Sequence, residues 1–404
     1  MASASAKRRT WTIAGPLALL AGLVAISRAN PAPASGQPYV PKSDAEVLEH
    51  LAAPVTDLGQ PAAESRVWAG SPAVLDAPSA AARARDELRR YQASADPRYL
   101  GRAEAALGAF WDQPAPPEPI LVLRARVRQS NHEFDSALKD LDQALTVNPG
   151  DDQALLDRAS IETVVGRYDA AARDCQALEP ITPPLYSTLC RASVSGVTGA
   201  ASAAASELTR VLASSSLAVE VRCWVESLLG ELTVRLGQAA PAEAHFRSVL
   251  AACPNDTYTR GALADLLLDS GRAAEVMPLL REQTNQDALL LRLTIAERRA
   301  RAESYDAHFK DLAQRFEEAR WRGNQVHRRE EARFELELRD APERALELAL
   351  ANFRVQREPA DVRIALASAL AAGHAERVHE VLAFANATHL EDPHVAELAK
   401  ALAK

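Results

Sequence analysis

Between residues 118 and 180 the chain states a hydrophobic pattern and then restates it 34 residues later. Asn131-His132-Glu133-Phe134-Asp135-Ser136-Ala137-Leu138 is matched at that offset by Val165-Gly166-Arg167-Tyr168-Asp169-Ala170-Ala171-Ala172. Each copy is a turn, an aromatic, an acid and then an alanine-started apolar run at helical spacing. A period of 34 residues predicts a helix pair that cannot bury its own apolar face and so stacks on copies of itself. No sustained alternation of β-branched and polar residues bounded by turn chemistry occurs, so the expected fold class is all-α, an α-α solenoid of stacked antiparallel helix hairpins.

The same periodicity extends to either side. Ser79 to Ala95 and Pro97 to Trp111 predict a hairpin, with Asp96-Pro97 as a helix start: an acceptor at the N-cap is followed by a proline whose missing donor is harmless there. Leu185 to Val197 and Ala200 to Ala213 predict a thinner pair, and the pattern sharpens again at Leu229-Gly230, Gly237, Ala242, Phe246 and Pro254, with Gly271 standing 34 after Gly237. Further helices are expected at Asp287 to Ala302, Ser304 to Arg320, Asn324 to Leu338, Pro342 to Gln356, Ala360 to Ala372 and Ala375 to Ala385, and Glu391-Asp392-Pro393 starts a last helix expected to cap the stack. The helical region thus runs over 79–404, clearest at 118–181 and 223–281.

The first clear copy resembles the tetratricopeptide repeat. Its small positions are Ala125, Ala137 and Ala144, its larger apolar ones Leu121, Phe134, Leu141 and Leu145, and Asn148-Pro149-Gly150 closes the unit. Antiparallel helices approach to about 8–10 Å where small side chains meet, and large ones fill the grooves beside the crossing. The resemblance implies a non-enzymatic scaffold whose first helices line a concave face that holds a protein or peptide segment. Carried over by position, that face would present Val122, Arg126 and Gln129, then Leu156, Ser160 and Thr163, then Ser227, Glu231 and Val234, then Asp265 and Leu268. The lysines and asparagines with which the family's best-known groove clamps a terminal carboxylate are missing.

The repeat register also orders the four cysteines. Cys223 opens the first helix of its pair and Cys253 closes the second, ends that are neighbours in an antiparallel hairpin. Cys175 lies midway along one helix and Cys190 in the helix stacked on it. Bridges Cys175 to Cys190 and Cys223 to Cys253 are therefore expected, in keeping with an oxidising compartment.

Ahead of the helices, Lys7-Arg8-Arg9 precedes an apolar run from Trp11 to Ile26, followed by small residues and prolines. This is the order of a secretory signal, with Ala32-Pro33-Ala34 and Ser27-Arg28-Ala29 as candidate cleavage patterns. Residues 1–34 are thus a signal peptide or an uncleaved anchor through Trp11 to Ile26, and 35–78 are a proline-rich tether. The expected location is exported, periplasmic or extracellular, with membrane anchoring as the alternative.

Composition adds two exclusions. The net charge is -8, and the first 34 residues hold four basic side chains and no acid. The remainder is more acidic still, which argues against nucleic acid as a partner. No phosphate loop, GxSxG elbow, CxxC or zinc-helix spacing occurs, so no cofactor, metal or small-molecule substrate is expected. An enzyme site in the less regular half after Asp287 is the remaining alternative reading. The arginine-rich stretch Glu297 to Arg344 balances 12 basic against 12 acidic side chains, the mark of solvated helix faces. Within it, Arg322, His327 and Arg328 form a patch that is expected to hold a partner's carboxylate.

Overall fold

The computed structural model describes residues 75–94, 96–214, 216–322 and 327–403. The expected signal or anchor and nearly all of the tether lie outside the described residues.

Among those residues the fold is all-α. Helices α1 (Ala77–Ser94) and α2 (Pro97–Trp111) are followed by α3 (Glu118–Ser130) and α4 (Phe134–Val147), α5 (Asp152–Val164) and α6 (Tyr168–Ala177), α7 (Pro184–Ser195) and α8 (Ala201–Ser214). Next come α9 (Val219–Arg235) and α10 (Ala239–Ala252), α11 (Thr257–Asp269) and α12 (Ala273–Leu280), α13 (Asp287–Ala300) and α14 (Tyr305–Trp321). The chain ends with α15 (Arg328–Glu337) and α16 (Pro342–Phe353), α17 (Pro359–Ala372) and α18 (His379–Ala387), and α19 (Pro393–Leu402). The short connections within each pair make the two helices antiparallel neighbours, and the pairs stack in chain order.

Local chemistry explains where the helices begin. Aspartates at 96, 151, 256 and 392 each accept a hydrogen bond from a backbone N–H two or three residues on, which satisfies a donor that the helix cannot. Proline follows Asp96 and Asp392 at the first helical position, where its fixed backbone angle suits the turn. Helix α1 starts at Ala77, two residues before the expected Ser79, and so takes in Pro78. The expected helix over Ala375 to Ala385 is instead a 3-10 turn, Ala375–Val378, leading into α18.

The two members of a pair are buried differently. Helix α10 buries only Ala242, Phe246 and Val249, and α14 only Leu312 and Phe316, each a single stripe. In contrast, α5 buries nine of its side chains, Ala154 through Val164, and α9 buries Val221 through Thr233 on nearly every side. A helix that is covered all round must have protein on both faces. The first helices of the pairs are therefore sandwiched between their own partners on one side and neighbouring first helices or the chain's later segments on the other.

Those later segments return to the early pairs. The Arg357 N–H donates to Val164 O at 2.8 Å, and the Tyr168 hydroxyl donates to Arg357 O at 3.3 Å, a link across 189 residues. Gln356 reaches His132, Arg363 forks onto Asp269 with both contacts at 2.6 Å, and Glu391 accepts from the N–H of Ala201 at 2.9 Å. The last helix packs on α17 of the last pair, as a cap does, and its start also meets earlier pairs, with Pro393 at the turn of Gly237 and His394 beside Asp269. The pattern of apolar positions along α19 is that of any terminal helix and carries no mark of which surface it meets.

Candidate functional site

The candidate site is the face built by the first helices, α3 through α17. Of the residues expected to line it, Val122, Leu156, Ser160, Thr163, Ser227 and Leu268 are buried, with Ser160 at 2% and Ser227 at 1% exposure. They are interior rather than groove-lining positions, because α3, α5, α9 and α11 bury side chains around most of their circumference. Thr163 turns its hydroxyl back to Ala159 O within its own helix, and Ser227 shares a 2.8 Å hydrogen bond with Thr259, whose hydroxyl donates to Asp256. The polar groups that a partner would have used are thus taken internally.

The charged members of the expected set are also paired. Arg126 donates from Nε to Asp157 at 2.8 Å, and Gln153 donates to the other oxygen of the same carboxylate. Glu231 lies 3.3 Å from Arg235, one turn along α9. Burial pushes the Glu231 carboxyl upward despite that arginine, and the pair leaves Glu231 Oε1 and Arg235 Nη1 each buried without a hydrogen-bond partner. Gln129 is half-buried.

The expected arginine patch does not gather on this face. Arg322 is exposed and pairs with Glu318 at 2.9 Å, His327 is exposed, and Arg328 is half-buried. Residues 323–326, between them, lie outside the described residues. The stretch instead sends Arg329 and Arg333 inward: Arg329 meets Glu358 at 2.9 Å, and Arg333 meets Asp265 at 2.6 Å.

That inward turn brings Arg333 onto the carboxylate of Asp265, which Arg292 also meets. Burial alone would raise the Asp265 carboxyl, but Arg292 and Arg333 outweigh it and hold the group well below the usual carboxylate range. Nearby, Asp361 is fully buried, accepts from Asn352 at 2.7 Å and closes a capping box with Glu358 at the start of α17. Burial raises the Asp361 carboxyl, with Arg329 opposing. His132, at the α3–α4 turn, is driven down to about 4 by burial and is therefore neutral at physiological pH.

This inner network could not be read from spacing. Asp265 was placed on the face by register, but its partners Arg292 and Arg333 come from two other pairs. The one signal available was the equality of basic and acidic side chains after Glu297, which implies pairing without naming partners.

Ser304, His308 and Glu297 lie together, but both Ser304 and His308 Nδ1 contact the carboxylate rather than each other, so the serine is not activated by the imidazole. Among the described residues there is no group of three or more His, Cys, Asp or Glu side chains arranged to hold a metal ion, and no helix is long and apolar enough to cross a membrane. Both cysteine pairs are bridged, Cys175 to Cys190 with Cα atoms 5.4 Å apart and Cys223 to Cys253 at 6.6 Å.

No family model matches the chain, and no curated protein matches it. Among solved structures it is similar to a tetratricopeptide repeat protein from Parabacteroides merdae, with 19% identity and a TM-score of 0.39 over 58% of this chain and 93% of the other. It is also similar to the Cut9-Hcn1 tetramer of the APC/C, with 12% identity and a TM-score of 0.45 over 76% of this chain and 60% of the other. Human IFIT1, solved as a dimer with m7Gppp-AAAA, shares 12% identity at a TM-score of 0.47 over 78% of this chain and 71% of the other. Likenesses of this size carry no argument about activity. What the 34-residue register and the stacked helix pairs establish is the fold, and the chain is a tetratricopeptide-repeat-like α-solenoid.

Proposed function

We propose that the protein is an exported scaffold that holds a segment of a protein or peptide partner and performs no chemistry of its own. The observation that carries the exported part is the cysteine arrangement: two bridges lie inside the helical stack, and no cysteine is free. Disulfides form and persist in oxidising compartments. The basic and apolar start of the chain, Lys7 to Ile26, supports the same reading. The acidic net charge and the pairing of arginines with the chain's own carboxylates favour a protein over a nucleic-acid partner.

In this reading the exposed or half-buried Gln129, Arg322, His327 and Arg328 are contacts outside the main docking surface, and the six buried residues of the inner face are not contacts. The apolar run Trp11 to Ile26 supports a second reading, a membrane-anchored component of an assembly. N-terminal sequencing of the mature chain from fractionated cells tests both. A start near Asn30 or Ser35 in the soluble exported fraction supports release, an intact start in the membrane fraction supports anchoring, and an intact start in the cytoplasm overturns both.

A further inference from the structure

The segment Phe384–His394 crosses the turns of three successive helix pairs. Phe384 covers the α5–α6 turn, where Gly166 holds a positive φ of 79° and an added Cβ would come within 2.8 Å of the phenylalanine ring. His389 covers the α7–α8 turn, where a Cβ on Gly199 would lie 2.9 Å from its own Cβ. Glu391 then places a carboxylate on the N–H of Ala201, the first residue of α8, and Pro393 lies against Gly237 at the α9–α10 turn. One short stretch of chain thus reads one edge of the stack at one turn per repeat.

The contacts divide into a few specific devices. The aromatic ring enters a site bordered by Tyr168, Phe353 and Arg357, with ring centroids 6.0 Å from Tyr168 and 5.5 Å from Phe353. Seven residues later, the carboxylate satisfies a free backbone donor at a helix start, where the helix dipole favours negative charge. Glycines at the three turns, Gly166, Gly199 and Gly237, let the segment approach closely. This is how a groove receives a peptide: an aromatic anchor, a charged anchor and glycine turns along its length.

We propose that this edge is the partner-docking surface, that Phe384–His394 is a strap occupying it in the resting chain, and that the partner is a peptide carrying an aromatic residue and, seven positions on, a carboxylate. The proposal rests on the scaffold reading above and names the surface and chemistry of its partner. The flanking helices are anchored in the last pairs through Val381, Ala385 and Val395, but the strap's hold on the early pairs is slight: Phe384 and Leu390 are only partly buried against them, and Glu391 adds one hydrogen bond. Segments with so few buried apolar contacts open locally without global unfolding.

The test uses the full chain, the variant Phe384→Ala/Glu391→Gln, and as probe a synthetic peptide of the sequence Phe384 to His394. Hydrogen exchange of the wild type should show the 384–394 amides opening about tenfold or more faster than the core amides of α9. The double variant should open further and bind the peptide, while the wild type, with its strap in place, binds it severalfold more weakly. A peptide with glutamine at the Glu391 position should lose most of that binding. Should the double variant not fold, Glu391→Gln alone, which removes only the charge at the α8 start, is measured in the same way. Exchange of the strap together with the α9 core, or an opened strap with no peptide binding, overturns the proposal. Failure of the exported reading, by contrast, would appear in the fractionation and leave the exchange and peptide results unchanged.

Discussion

Arg333 on α15 places Nη1 2.6 Å from Oδ1 of Asp265 on α11, and Arg292 of α13 closes on Oδ2 of the same carboxylate at 2.6 Å. One acid thus ties three helix pairs, and Arg333 has a second carboxylate in Glu337 at 2.7 Å. Asp265→Ala would leave two arginines facing each other in the interior. Removing one partner of a buried pair costs about 3–5 kcal/mol, and the 30% exposure of Asp265 places the expected loss at or below the lower end. The depressed carboxyl sets the pH window: its stabilisation is complete above the ordinary aspartate range, about pH 4, and declines as pH falls below it. Urea midpoints of the wild type and Asp265→Ala should therefore differ most at neutral pH and converge in acid. A constant gap from pH 7 to 2 would show that the charge is not the cause.

Gly230 tests the packing of a pair. It sits mid-helix in α9 opposite Phe246 of α10, and an added Cβ would stand 2.2 Å from the Phe246 ring. Both residues are in the interior, so the ring has little room to yield. Gly230→Ala should cost about 1–3 kcal/mol by overpacking, despite the better helix propensity of alanine. A melting temperature at or above the wild-type value would mean that the two helices stand further apart than described.

Gly230 and Phe246 also show what the sequence made legible. Both are register positions of the 34-residue pattern, and where that pattern was clear the helices, their pairing and the cysteine neighbours followed from local rules: a cap at Asp96, small residues at crossings, glycine in turns. The candidate face was not legible, for a physical reason. Ser160 and Ser227 look like surface side chains on their own helices and are interior because neighbouring first helices and remote segments cover them. Nothing within the chain from the α16–α17 connection to α19 encodes that Arg357 will meet Val164 or that Glu391 will meet Ala201. Such contacts depend on how far the stack has turned after several pairs, a quantity that accumulates from small packing angles and leaves no motif.

Glu162 should make stability fall toward alkaline pH. Its Oε2 is buried without a partner, and burial first, then the negative charge of Asp174, push its carboxyl up to about 7. A carboxyl raised in the folded state favours folding while protonated, so its contribution is complete below the ordinary glutamate range and is lost as pH rises through about 7. Glu162→Gln keeps the shape and removes the titration. The variant should match the wild type near pH 4.5 and exceed it in melting temperature at pH 8. Parallel pH profiles for the two proteins would sink the assignment.

The bridges are expected to contribute measurably. Cys175–Cys190 and Cys223–Cys253 close separations of 15 and 30 residues. Closing a loop of the shorter length is worth about 3 kcal/mol in the chain-entropy description. Reduction should lower the melting temperature, and Cys223→Ser/Cys253→Ser should lower it while leaving the other bridge intact. Thiol titration of the denatured, unreduced protein should find no free thiol among the four. Four titrating thiols would remove both bridges and the main support for export.

Tyr168 joins the repeat register to the returning segment. Its ring is buried at the aromatic position of the repeat, its hydroxyl donates to Arg357 O, and the Phe384 ring lies tilted beside it. Two variants separate these roles. Tyr168→Phe keeps the ring and leaves the Arg357 carbonyl to its other surroundings, a loss of about 1 kcal/mol. Tyr168→Asp removes the ring from the core and buries a carboxylate with no cation in hydrogen-bond contact, and the two penalties together reach several kcal/mol, a large share of a domain's net stability of about 5–15 kcal/mol. The first variant should melt slightly below the wild type with unchanged helical content. The second should lose several degrees or fail to accumulate as soluble protein, because the α5–α6 turn and the segment from Val355 to Leu390 lean on the same ring. Equal melting of Tyr168→Asp and the wild type would place the residue at the surface and refute both the register and the return of the chain onto it.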